Sequence, residues 1–135
     1  MSSTFVTLNW WAVLLAACSG FAVGSLWYGP WFGKAWMQAT GISKEKARSA
    51  NRARTFGLAF VLNLLCSFGL AVFLGAEHDL VFGVVVAVGV ALAFVSTAFG
   101  VTYLFEQRPL KLFFINAGYQ VANFAVMGAV IGAWV

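Results

Sequence analysis

Residues Leu80 to Phe105 read LVFGVVVAVGVALAFVSTAFGVTYLF and hold no charged side chain. A helix crosses the roughly 30 Å hydrocarbon core of a bilayer with about 20 residues, so this run is long enough to span one. Three further runs match it, Phe5 to Tyr28, Thr55 to Gly75 and Leu112 to Val135, and none carries an acid or a base. With 62% hydrophobic and only 9% charged residues, the chain lacks the charge needed to cover a soluble domain. Strands would need alternating polarity and a closed barrel of about eight or more, which continuously apolar runs do not supply. The expected fold is all-α, a four-transmembrane-helix bundle forming one membrane domain over residues 1–135. Its helices fall at about 5–28, 55–75, 80–105 and 112–134, with a basic interfacial segment at about 29–54. The first run has no positive region before it and no small-x-small cleavage site, so it reads as a retained helix rather than a signal peptide. Cys18 and Cys66 fall inside spans and read as small apolar filler.

All eight Lys and Arg residues lie in two connections. Lys34, Lys44, Lys46, Arg48, Arg52 and Arg54 precede the second span; Arg108 and Lys111 precede the fourth. The positive-inside bias predicts that both basic connections are cytoplasmic and both termini lie on the non-cytoplasmic side, and it argues against a dual topology. Between the first run and the basic tract stands LWYGPWFGKAWM, Leu26 to Met37. Trp27, Tyr28, Trp31, Phe32 and Trp36 suit a cytoplasmic aromatic belt, with Gly29, Pro30 and Gly33 ending the helix and turning the chain along the surface. Ser43 is placed to cap a basic helix, KEKARSANRAR, whose cations Lys44, Lys46, Arg48, Arg52 and Arg54, together with Lys34 before it, are candidates for anionic-lipid contact. Trp10, Trp11 and Trp134 mark the opposite belt. The turn Glu77-His78-Asp79 reads as a solvated loop, because three adjacent residues seldom converge on one ion.

The last run carries the richest pattern. Asn116, Gln120, Asn123 and Met127 recur at steps of four, three and four, with Tyr119 beside them, while Gly118, Ala122, Ala125, Ala129 and Gly132 form a second stripe on roughly the opposite face. Small residues permit close helix approach and amides require shelter from hydrocarbon, so both faces are expected to be covered by protein. That requires a central position in the bundle or a second protomer, and a homodimer through the small-residue stripe is the expectation. Ala12, Ala16, Gly20 and Gly24 give the first helix a seam of its own. Asn63, Ser67, Ser96 and Thr97 lie at depths that could face Asn116, Tyr119, Gln120 and Asn123, either as interhelical hydrogen bonds or as an uncharged polar pocket.

Two segments, SLWYGPWFGKAWM from Ser25 and YLFEQRPLKLFFINAGYQVANFAVMGAVIGAW from Tyr103 to Trp134, resemble the bacterial membrane-protein family called domain of unknown function 1761. The resemblance spans nearly the whole chain. It implies a small multi-pass protein of the bacterial cell membrane and brings no catalytic residues with it. Within the second segment Glu106, Arg108 and Lys111 form a corner with Pro109 setting the turn, and Glu106 is placed to pair with Arg108 or with the first basic connection. The two aromatic-Pro-Lys corners hint at a parallel repeat of two hairpins.

No nucleophile-base pair and no cluster of His and carboxylate lies within the spans, so an intramembrane enzyme is the least favoured class and no cofactor or nucleic-acid partner is expected. A non-enzymatic module binding membrane lipids or partner proteins accounts for the anchor, the basic segment and the seams. The alternative is a small oligomeric transporter or channel that passes a neutral or polar solute along the amides. Ion-coupled carriers usually keep an ionisable group in the membrane, and these spans hold none.

Overall fold

A computed structural model describes residues 9–42, 45, 52–75 and 79–133. Helix α1 runs Trp10–Leu26, capped by Asn9, whose side chain accepts from the backbone N–H groups of Trp11 and Ala12. It does not stop before Pro30. The chain continues through Trp27–Trp31 in wider π-helical turns, with Phe32 N–H bonding the Trp27 carbonyl at 2.7 Å, and only Phe32 breaks the path. Widened turns let the helix absorb a proline that has no N–H to give. Gly33 follows because a Cβ there would stand 2.5 Å from the Tyr28 carbonyl, whereas Gly29 faces open space.

A short helix, α2 at Gly33–Thr40, ends at Gly41 in the left-handed region. Helix α3 covers Arg52–Leu74 and begins three residues before the expected Thr55. Helix α4, Leu80–Val90, is capped by Asp79, which accepts from Phe82 N–H at 2.7 Å. It passes through π turns at Ala91–Ser96 into α5, Thr97–Phe105, so the third span is continuous. Pro109 stands immediately before α6, Leu110–Ala133, and its carbonyl accepts from Leu112 and Phe113. Four helical stretches are thus long and apolar enough to cross a membrane, Trp10–Trp31, Ala53–Leu74, Leu80–Phe105 and Leu110–Ala133. There is no strand among the described residues. The proline corners are built differently, one inside a wide helical turn and one outside a helix end, so they share no local geometry.

The fourth span is the axis of the bundle. Its apolar window is 39% buried against 22–28% for the others, and α6 packs on α4 along one side and on α1 along the other. Helix α3 lies mainly against α1. Between α4 and α6 the backbones nearly touch: a Cβ on Gly128 would strike the Gly83 carbonyl and Ala87, and one on Gly132 would stand 2.5 Å from the Asp79 carbonyl. Without a hydrophobic force between helices in lipid, such backbone approach supplies the dispersion contact that holds them. Ala16, Ala87, Ala91 and Met127 are wholly buried in the resulting core.

This arrangement covers the amide stripe of α6 and the two ends of its small-residue stripe within one chain. Gly132 sits against α4 and Gly118 under the Trp27 ring, while Ala122, Ala125 and Ala129 are half-buried. The central position expected as one of two explanations accounts for the cover over Gly118 and Gly132. Large apolar side chains such as Leu58, Leu65, Phe73, Val85, Leu104 and Phe105 point outward all round the bundle. An apolar exterior of this extent is a lipid-facing surface.

Candidate functional site

A cleft of about 550 Å³ is bounded by α1, α3 and α6. Its floor comes from the amide stripe. Asn123, only 2% exposed, donates from Nδ2 to Asn63 Oδ1 at 3.0 Å, and Asn63 Nδ2 donates to the Ala17 carbonyl at 2.9 Å. Tyr119 donates to the Gly20 carbonyl at 3.3 Å. Gly20 and Gly24 make this possible, since a Cβ on Gly24 would lie 3.2 Å from the Tyr119 hydroxyl and one on Gly20 would overlap the Asn123 amide. The seam expected on α1 is thus the seat for the polar stripe of α6.

Two polar functions in the cleft are left over. Asn123 Oδ1 is buried and accepts no hydrogen bond, and the Gln120 amide, half-buried in the cleft wall, has no partner among the described residues. Phe21, Phe56 and Leu62 are prominent in the remaining walls, which Ser25 and Cys66 also join, and among the described residues the lining holds no charged side chain. Phe56 and Leu62, 57% and 63% exposed, form a lip that opens sideways to the lipid-facing surface.

The other expected pocket residues go elsewhere. Ser67 donates to the Val13 carbonyl at 2.7 Å and acts as an α3–α1 cross-link. Ser96 is buried in the π turns with an unpartnered hydroxyl, and Thr97 bonds the Ala93 carbonyl of its own helix. Asn116 joins a separate chain nearer the basic end, where Tyr28 donates to Asn116 Oδ1 at 2.7 Å and Asn116 Nδ2 donates to the Tyr103 hydroxyl at 2.7 Å. Tyr28, Phe21 and Cys66 line the cleft although the polar pattern did not single them out for it. The close four-step spacing of Gly20 and Gly24 opposite Tyr119 was the available signal.

Trp27 and Tyr28 turn inward rather than joining the surface belt. The Trp27 ring covers Gly118 and its Nε1 donates to the Ile115 carbonyl at 2.9 Å. Trp31 does face outward, as do Trp10 and Trp11 at the other end. Glu106 pairs with Arg108 at 2.6 Å inside the turn, and the bonded carboxylate beside it pushes the Arg108 guanidinium above its usual range. Lys111 reaches Gln38 Oε1 on α2 at 3.5 Å. Of the expected anionic-lipid contacts, Lys34 and Arg54 are exposed, Arg52 begins α3, and Lys44, Lys46 and Arg48 lie outside the described residues with Ser43. Glu77, His78 and Trp134 also fall outside them.

The sequence profile of a family described as protein of unknown function, DUF1761, matches residues 11–132. The chain belongs to the DUF1761 family. No curated protein and no solved structure matches it. In this DUF1761 protein the two segments that carry the resemblance touch each other, through Trp27 with Ile115 and Tyr28 with Asn116. They close the basic end of α1 onto α6 and set the lower boundary of the cleft.

Proposed function

We propose that this membrane protein is a non-enzymatic module that holds a lipid in the lateral cleft between α1 and α3. The observation that carries the reading is the pairing of an apolar mouth open to the lipid-facing surface with an amide floor at membrane depth. A cleft of about 550 Å³ lies within the range of roughly 300–1,000 Å³ usual for small-molecule sites, and apolar walls with a few placed polar groups are the common composition of such sites. Passage of a solute is the weaker reading. The floor closes on itself through Asn123, Asn63 and the Ala17 carbonyl, which suits a blind pocket better than a path.

The basic end supplies the address. Lys111 reaches Gln38 where α2 meets the start of α6, and the positive-inside bias favours this end as the cytoplasmic one, with both termini outside in a bacterial cell membrane. Native mass spectrometry of the gently solubilised protein tests the binding reading. The expected spectrum shows a retained lipid adduct that is lost in Ala59→Phe, a substitution at an exposed wall position that fills the cleft without touching the core. A folded wild-type protein that carries no adduct overturns it.

A further inference from the structure

We infer that the ligand of the cleft is a neutral amphiphile whose head group both donates and accepts a hydrogen bond, such as a monoacylglycerol or a primary fatty amide; this rests on the lipid-binding reading above. The unpartnered Gln120 amide carries the argument. In hydrocarbon surroundings an amide without partners is costly, and water and protein partners are the usual remedies. Around Gln120 the Tyr119 hydroxyl donates to the Gly20 carbonyl, and Asn123 and Asn63 each direct one amide hydrogen away from it, to Asn63 and to the Ala17 carbonyl. Gln120 therefore offers two donor hydrogens and a carbonyl to whatever occupies the cleft, and the Tyr119 oxygen can still accept. A hydroxyl or primary amide complements that set from both sides, whereas a ketone or ester leaves the Gln120 carbonyl unmet.

Charge and volume narrow the class further. A phosphate or carboxylate at this depth would need a cation and an ammonium head would need an acid, and the described lining residues include neither. Taking about 30 Å³ for a water-sized group, a space of 550 Å³ takes roughly eighteen such groups. That is room for a small head group and the start of a chain. The exposed lip at Phe56 and Leu62 lets the tail remain in the bilayer side of the cleft while the head reaches Gln120.

The experiment is photolabelling in proteoliposomes with two diazirine probes, a monoacylglycerol and a phosphatidylglycerol carrying the diazirine in one chain, followed by peptide mapping. Monoacylglycerol is expected to label the cleft stretch from Phe56 to Cys66 at least about tenfold above phosphatidylglycerol. Gln120→Leu is expected to remove that preference while the protein keeps its thermal stability, because an apolar residue replaces an unpaired amide. Ala59→Phe is expected to abolish cleft labelling by either probe. Equal or stronger cleft labelling by phosphatidylglycerol overturns the neutral-head inference and leaves lipid binding standing. Labelling spread evenly over outward positions such as Phe73 and Leu104, unchanged by Ala59→Phe, overturns both.

Discussion

Asn123 of α6 and Asn63 of α3 share a 3.0 Å hydrogen bond across the bundle, and Gly20 of α1 faces both amides where any Cβ would overlap them. The absence of one side chain on the first span thus decides how the second and fourth meet. Gly20→Ala is expected to lower stability by about 1–3 kcal/mol, as overpacking usually does. Thermal unfolding in detergent measures it, and adding Asn123→Ala should recover part of the loss. A Gly20→Ala protein as stable as wild type would show that the amides do not press on α1.

The α4–α6 contact predicts a division among glycines. Gly83→Ala and Gly128→Ala bring a methyl into opposing backbone and should destabilise the fold, whereas Gly57→Ala and Gly89→Ala meet nothing within 4 Å. The latter pair should be neutral or gain up to about 1 kcal/mol from helix propensity. If instead Gly128→Ala leaves a well-folded monomer and removes only an oligomer, the seam joins two chains.

Gln107 sits in the left-handed region at φ 56, the one non-glycine among the described residues to do so. L-residues pay about 1–2 kcal/mol for that conformation, so Gln107→Gly should raise the melting temperature and Gln107→Val lower it. Equal melting points for all three would mean that the turn relaxes.

Tyr28→Phe cuts the Tyr28–Asn116–Tyr103 chain at its first link and leaves Asn116 Oδ1 without its donor. Interhelical hydrogen bonds in membranes average about 0.6 kcal/mol and reach about 1.7. The expected loss lies in that range, read from unfolding titrations, and a larger one would mean that the α1 turn itself comes apart.

At the exposed corner, Arg108 is hydrogen-bonded by Glu106 and its protonated form is favoured when folded. A raised folded value means the contribution is complete below the ordinary guanidinium range and is lost only above it. Unfolding curves of wild type and Arg108→Gln should therefore stay parallel from mildly acid to mildly alkaline buffer. A gap that opens or closes there would point to a different partner for Arg108.

Much of this protein could be read along the chain. Uncharged length located the four spans to within a few residues at the ends the structure describes, because crossing a bilayer is a constraint on consecutive residues. The four-three spacing on α6 announced a helix covered on two faces for the same kind of reason, since periodicity is a local property. The proline at position 30 misled only about the helix end, where wide turns accommodated it.

Tertiary structure decided who covers whom. Asn63 reaches Asn123, but Ser67, Ser96 and Asn116 each find separate surroundings, and Gly118 and Gly132 are closed by Trp27 and α4. Nothing in one dimension chooses among these outcomes. In lipid every apolar face is equally content, so the arrangement follows from where glycines let backbones approach and where amides find partners, and those are properties of pairs of helices. The cleft beside Gln120 is the space that this packing leaves open.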